Sequence, residues 1–312
     1  MKITFAFCTY DRAHRLKTLV AAMRAQQCPV PYEILAINNN SRDGTAELLA
    51  SLAVQPGPPM RWVNEAQQGI VPARNRAIEE SLRNDILVFI DDDELPQPGL
   101  LNAVYDAIAN EGAQCVGGRV EVDFGAHGRP SWLEDDLLAF LAETNYGASS
   151  FWIDSDKTPI WTSNVAYDLK LFRDDPALRF DNRYNREGHV FGGGEDVVMF
   201  RRLLELRTRM RYRPDMVVLH QVEPWRLHRL YFLRLHHQAG ERKGLHEWPD
   251  YPRQVLGIPP FLIAQALRHS IKAIPLLALN KPGALRQAMN AAHAFGLIKG
   301  KFRRYRSRGI PP

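Results

Sequence analysis

Apolar runs alternate with amphipathic stretches through the first 120 or so residues. KITFAFC reads as a strand, and from Arg15 to Gln26 the residues Leu16, Leu19, Val20 and Met23 recur on one helical face. YEILAIN is a second strand, and SRDGT turns the chain into the helix AELLASLA. A short strand, MRWVNE, precedes a helix around Ala73 to Leu82, and the run ILVFI follows. A further helix over about Gly99 to Asn110 leads into the strand CVGGRVEV. Strands separated by single helices predict a parallel, doubly wound α/β sheet, with ligands held at the strands' C-terminal ends.

From about Asp123 to Arg186 the periodicity is lost, and Trp, Asp, Gly and Pro are frequent. Such a stretch is too long for a simple connection and reads as a functional loop region. Order returns with FGGGEDVVMFRRLLELR, a glycine turn feeding a helix, and with RMRYRPDMVVLH, a strand ending on His220. Beyond about Glu223, arginines, histidines and aromatics interleave. Two apolar helical segments, FLIAQALRHSIKAIPLLAL and ALRQAMNAAHAFGLI, then follow a proline-containing stretch. The expected organisation is an α/β domain over residues 1–222 and a helical, basic region over 223–312.

Composition changes this picture in two places. The chain has 312 residues, of which 45% are hydrophobic and 24% charged, the balance of a soluble globular protein. Cys8, Cys28 and Cys115 have no metal-type spacing and read as reduced core thiols of a cytosolic protein. Met1-Lys2 runs straight into a strand, so no signal peptide is expected, and no apolar stretch has the length of a bilayer span. The net charge of +5 is concentrated: Lys299, Lys301, Arg303, Arg304, Arg306 and Arg308 form an acid-free C-terminal run, and the other 34 basic residues face 35 acidic ones. Such a run suits nucleic acid, an anionic membrane surface, or a merely solvated tail.

The candidate chemistry gathers at ILVFIDDDELPQPG. Asp91, Asp92 and Asp93 crowd like charges at a strand end, an arrangement relieved by a divalent cation, for which carboxylates are the preferred ligands. The alternative is a solvated acidic turn, which the strand-end position disfavours. Glu195 and Asp196 follow three glycines. They suit a helix N-terminus, where the dipole favours anions. His220 alone reads as a structural residue.

Taken in order, FCTYDR, NNNSRDGT, GIVPARNRAI, FIDDDELPQPGLL, TSNVAY, FGGGEDVVMFRRL and PDMVVLH resemble the family 2 glycosyltransferases over Lys2 to about Gly240. These are inverting enzymes of the GT-A fold, a Rossmann-like, mostly parallel sheet flanked by helices. The resemblance implies a nucleotide-sugar donor, and Mg²⁺ or Mn²⁺ as cofactor. Asp91 and Asp93 match the D-x-D pair, Asp93 binding metal and Asp91 the ribose and metal. Asp92, between them, would point to the other face of the strand end, in a structural hydrogen-bonding role or beside the nucleotide, and His220 would close the metal site. Thr9, Tyr10 and Arg12 match the nucleotide-binding loop, and Arg74 the basic residue near base and diphosphate. Asn39 stands where the family commonly has an aspartate that meets uracil, so uridine is the default base, with guanosine and deoxythymidine left open. Asp196 matches the general base and Glu195 a hydroxyl-orienting partner. Trp161, Ser163 and Asn164 match the sugar and acceptor side, and Trp132 and Trp152 offer further rings for sugar stacking or for the core.

By the same resemblance the acceptor is a glycan or lipid-linked oligosaccharide of cell-surface polysaccharide synthesis. The C-terminal helices read as an interfacial appendage holding the enzyme peripherally on the inner face of the cytoplasmic membrane, against an extra helical layer or a dimer contact. The rival readings are a GT-A-like nucleotidyltransferase, whose triphosphate loop FCTYDRAHR lacks, and a non-catalytic nucleotide-sugar-binding protein. Nucleic acid is not expected as a partner, because an acidic cleft repels phosphates.

Overall fold

The computed structural model describes residues 1–186 and 194–308. Phe191, Gly192 and Gly193 of the expected glycine turn therefore lie outside the described residues, as does the chain beyond 308. Two compact units divide the chain, Met1–Val222 and Glu223–Pro312.

The first unit opens with β1 (Ile3–Thr9), α1 (Ala13–Arg24), β2 (Tyr32–Asn38), α2 (Thr45–Ala53), β3 (Met60–Asn64), α3 (Ile70–Ser81) and β4 (Ile86–Ile90). It continues through β5 (Glu94–Pro96), α4 (Leu100–Tyr105), β6 (Cys115–Asp123), β7 (Phe151–Ile153), β8 (Asn164–Asp168), α5 (Lys170–Asp174), α6 (Glu195–Glu205) and β9 (Met210–Gln221). The strands form one sheet in the order β3-β2-β1-β4-β8-β6-β9-β5, with β7 also paired to β9. Six strands run one way, and β5, β7 and β8 oppose them.

Every residue of β2 and of β4 is buried. Both faces of the sheet are therefore covered, which is why these strands appear in the sequence as unbroken apolar runs. Alternate side chains feed two cores. Phe5, Ile34 and Val88 pack with Leu16, Leu19 and Met23 of α1 and Leu101 of α4. Ala6, Leu35 and Phe89 pack with Ala77 and Ile78 of α3 and Met199, Phe200 and Leu203 of α6.

The irregular middle region contains an element the periodicity did not predict. β8 lies between β4 and β6, antiparallel to both. It is only five residues long and is flanked by loop on its N-terminal side, so no amphipathic pattern announces it. Its register, Ile90 opposite Asn164, brings Trp161–Ser163 level with the aspartate run.

The second unit holds α7 (Arg229–Arg242), extended by a π-helical turn at Lys243–Glu247, then α8 (Pro260–Ala278) and α9 (Ala284–Arg308). Four glycines let α7 and α9 touch backbone to backbone. A Cβ on Gly240 would overlap the His293 carbonyl oxygen, on Gly244 that of Leu297, on Gly296 that of His237, and on Gly300 that of Glu241.

Of the three readings of the basic run, the structure does not show a merely solvated tail. Through Arg308 the run is the last part of α9, and four of its cations are paired inside the unit. Lys301 is buried with its Nζ 2.6 Å from Asp250 Oδ1. Lys299 and Arg303 clasp Glu241 at 2.8 and 2.7 Å, and Arg304 donates to the Trp248 carbonyl at 2.8 Å. The physical reason is that α9 folds back on α7 and meets Glu241 on that helix and Asp250 in the stretch that follows it. Among the described residues no helix is long and apolar enough to cross a membrane.

Candidate active site

The site forms where β1 and β4 end, and a turn compresses the aspartate run. The Asp91 N–H donates to Glu94 Oε2 at 3.0 Å, and the Glu94 N–H returns to the Asp91 carbonyl at 3.2 Å. The turn splits the three aspartates among different partners. Asp91 Oδ1 accepts from Arg74 at 3.1 Å, Asp92 Oδ2 accepts from Thr9 Oγ1 at 2.7 Å, and Asp93 Oδ2 faces His220 Nε2 at 3.7 Å.

Arg74, on α3, joins two motifs that are 104 residues apart in sequence. Its second nitrogen donates to Glu195 Oε1 at 2.7 Å, at the start of α6. Arg74 and Glu195 are almost fully buried, while Asp91 is a third exposed. Burial opposes the guanidinium's charge, and the charges of Asp91 and Glu195 more than offset it, raising the Arg74 pKa. Its flat face lies over the Phe180 ring at 5.7 Å, and Phe180 is fixed by reciprocal main-chain hydrogen bonds with the Asn75 side chain.

α6 starts where Gly194 adopts φ +106°, a backbone state that favours glycine. Glu195 and Asp196 occupy its first turn, where the helix dipole favours them. Asp196 Oδ1 accepts from the Val197 N–H at 2.8 Å. Burial first, and the charge of Glu195 second, raise the Asp196 carboxyl to about 6, with Arg74 pulling the other way. Among the described residues, Glu195 Oε2 and Ser163 Oγ are buried and have no hydrogen-bond partner.

Asp92 is raised to about 7 by burial and then by Asp93, with Arg12 opposing. Arg12 and Tyr10 are half-buried on the turn after β1, and Thr9 is buried. These placements bring the turn after β1 beside Asp92.

His220 sits on β9 directly opposite Glu94. Its Nδ1 lies 2.7 Å from the Leu141 carbonyl oxygen. A carbonyl only accepts, so in the neutral ring Nδ1 carries the proton and Nε2 turns its lone pair toward Asp93. One carboxylate and one imidazole, 3.7 Å apart, suit two positions on a single divalent ion. No group of three such side chains converges among the described residues. The donor set thus fits an ion that brings its remaining ligands with a diphosphate, the usual habit of Mg²⁺. Asp91 has one oxygen on Arg74 and is a third exposed.

Two amides behave otherwise than expected. Asn39 is buried, and its side chain is engaged at both ends. Oδ1 accepts from the Gly69 N–H at 2.7 Å, and Nδ2 donates to the Gln67 carbonyl at 2.7 Å. It pins the loop between β3 and α3 and has no spare atom for a nucleobase. Asn164 lies inside the sheet, where its Nδ2 donates to the Arg119 and Met216 carbonyls, both at 2.9 Å. Those carbonyls lie at the register break between Gly118 and Arg119, so the Asn164 amide N–H groups close a bulge, while its Oδ1 is buried with no hydrogen-bond partner among the described residues. Trp161 remains half-buried before β8, where its carbonyl accepts from the Asn164 N–H at 3.0 Å. Trp152 is partly exposed with Arg209 and Arg211 about 5 Å from its ring, which gives it cationic neighbours.

Glu94 was not singled out in the sequence. It is buried, and burial, then Asp91 and Asp93, push its carboxyl well above the usual range. The unbroken run from Asp91 to Glu94 was its only signal.

Comparison with known proteins bears on the family and the fold. The model of glycosyl transferase family 2 matches residues 4–175, more than half of the chain. The glycosyltransferase AglE of Haloferax volcanii is 26% identical over 217 residues, 69% of this chain and 66% of its own length. The uncharacterized glycosyltransferase YfnE of Bacillus subtilis is 30% identical over 112 residues, 36% of this chain and 28% of its own. The chain thus spans less than two thirds of these relatives' lengths. Among solved structures, mannosyltransferase PcManGT from Pyrobaculum calidifontis, in complex with GDP-Man and Mn²⁺, gives a TM-score of 0.59 at 18% identity. That match covers 96% of this chain and 86% of the other. S. aureus TarS 1-349 with UDP gives 0.56 at 13% identity, covering 97% and 91%. At such identities the likeness speaks for the fold, and the fold is GT-A. With the fold, the ordered motifs and the matched model in agreement, the chain belongs to glycosyl transferase family 2.

Proposed function

We propose that the protein is a metal-dependent, inverting glycosyltransferase that moves a sugar from a nucleotide-sugar donor, by default a uridine diphosphate sugar, to a hydroxyl group of a glycan or lipid-linked oligosaccharide. The observation that carries this reading is the Arg74 bridge, which holds the D-x-D segment and the Glu195–Asp196 pair against one buried cation.

The chemistry asks for one displacement. The acceptor oxygen attacks the anomeric carbon while Asp196 takes its proton, and the bond to the diphosphate breaks on the opposite face. The bonding pair leaves with the nucleoside diphosphate. A divalent ion held by Asp93 and His220 would supply positive charge to that leaving group. Arg74 keeps Glu195 oriented and, by its charge, favours the ionised form of Asp196. Glu195 Oε2 and Ser163 Oγ offer polar atoms to sugar hydroxyls. Asn39 acts on the nucleotide only through the loop it pins, so uridine rests on the family default alone. A lipid-linked acceptor suits a peripheral placement on the inner face of the cytoplasmic membrane, as a part of cell-surface polysaccharide synthesis.

Asp196→Asn tests the assignment. Donor affinity should persist while transfer falls by roughly 10²- to 10⁴-fold, the usual worth of a positioned base. The product anomer should be opposite to the donor's by NMR. Near-normal turnover in the variant, or retained configuration, would overturn the reading.

A further inference from the structure

The second unit turns an apolar face outward. Along α8, Ile263, Leu267, Ile271 and Ile274 recur at intervals of four, four and three residues. At about 100° per residue this keeps all four within roughly 80° of one another. They are 47, 55, 68 and 65% exposed, while Leu262, Ala266 and Ala273 on the neighbouring face are buried. Leu277 and Leu279 extend the exposed apolar set at the helix's end. Single exposed leucines are ordinary, but a continuous stripe on one helix marks an interaction surface.

Charge identifies the occupant. From Tyr251 to the C-terminus the sequence has eleven lysines and arginines and no aspartate or glutamate. Arg268 and Lys272 are exposed on α8 itself, to one side of the stripe. A second copy docking stripe to stripe would bring the Arg268 and Lys272 flanks of two helices together with no acid on either helix, which like-charge repulsion opposes. An anionic lipid surface satisfies both the stripe and its flank.

We propose that α8 seats the protein on an anionic bilayer. The helix lies in the plane of the interface, the Ile263–Leu267–Ile271–Ile274 stripe enters the headgroup–acyl boundary, and Arg268 and Lys272 meet lipid phosphates. This rests on the peripheral placement given under Proposed function, and it moves the contact from the basic run, whose cations are largely paired internally, to a helix upstream of it.

The test is co-sedimentation of the full chain with phosphatidylcholine vesicles, with and without phosphatidylglycerol. The wild type should bind the anionic vesicles. Leu267→Glu/Ile271→Glu should lower the partition ratio by roughly tenfold or more. Arg268→Glu/Lys272→Glu should lower it by about fivefold per cation. Both pairs are surface changes, and an unchanged melting temperature checks the fold. Ile271→Trp should show blue-shifted fluorescence that brominated lipid quenches. Wild-type binding that survives Leu267→Glu/Ile271→Glu overturns the α8 assignment alone. A wild type that binds no vesicle overturns the peripheral placement as well, and transfer to a soluble acceptor would still stand or fall separately. A dimer that Leu267→Glu/Ile271→Glu dissociates, with lipid binding unaltered, would give the stripe to a second copy.

Discussion

Arg74→Met removes one guanidinium from between two carboxylates, and the two partners should respond unequally. Asp91 is a third exposed and can turn to water, so its lost pairing costs little. Glu195 is 3% exposed, with one oxygen 2.7 Å from Arg74 and the other already without a partner among the described residues. Removing its cation leaves a buried charge uncompensated, a change that costs about 3–5 kcal/mol in typical cases. For a unit of this size that is roughly 10 °C in melting temperature. Lysine should not restore the bridge, because a point charge cannot reach both oxygens in the fork geometry. Arg74→Met/Glu195→Gln should recover more than half of the loss, since the uncompensated charge goes with it. Urea denaturation of the two single variants and the double variant gives the coupling. A loss below about 1 kcal/mol in Arg74→Met, or a double variant no more stable than that single one, would refute the view that Arg74 neutralises Glu195.

Three further outcomes are expected. UDP titrated by calorimetry should bind at least tenfold more weakly in EDTA than in Mn²⁺, and His220→Ala should erase most of that difference; equal affinities would remove Asp93 and His220 as a metal seat. The kcat/KM should climb with pH through about 6 as Asp196 ionises. Because the folded-state value lies above the ordinary 3.8, the same group should cost stability as pH rises across that interval, and a flat rate from pH 4 to 8 would exclude Asp196 as the titrating base. Gly296→Ala gains about 1 kcal/mol in helix propensity but drives a methyl into the His237 carbonyl. Net destabilisation of roughly 1–3 kcal/mol is expected by thermal melting, and a stabilised variant would show that α7 and α9 can separate at little cost.

What the sequence reveals depends on how local the cause is. Tyr32–Asn38 and Ile86–Ile90 are visible because strands covered on both faces need apolar residues at every position. β8 is not, because Asn164–Asp168 owes its place to β4 and β6 on either side. The carboxylates of the site are legible as residue types at strand and helix ends. The Arg74–Glu195 contact, in contrast, is set by how α3 and α6 pack on one face of the sheet. Asn39 and Asn164 show the limit most clearly. Each stands in a segment that matches a donor or acceptor motif, yet the groups that occupy them come from elsewhere in the chain, a loop for Asn39 and strands β6 and β9 for Asn164. Similarly, Lys301 looks like one cation of a basic run until Asp250, 51 residues earlier, is brought beside it.

The glycine seam between α7 and α9 also has a mechanical meaning. Where main chain lies against main chain, there are no side-chain rotamers to give way, so the two helices share load as a single spar. α8 precedes α9 in the same compact unit and carries the outward apolar stripe. A load that reaches α9 through α8 is therefore passed on to α7 by main chain lying against main chain.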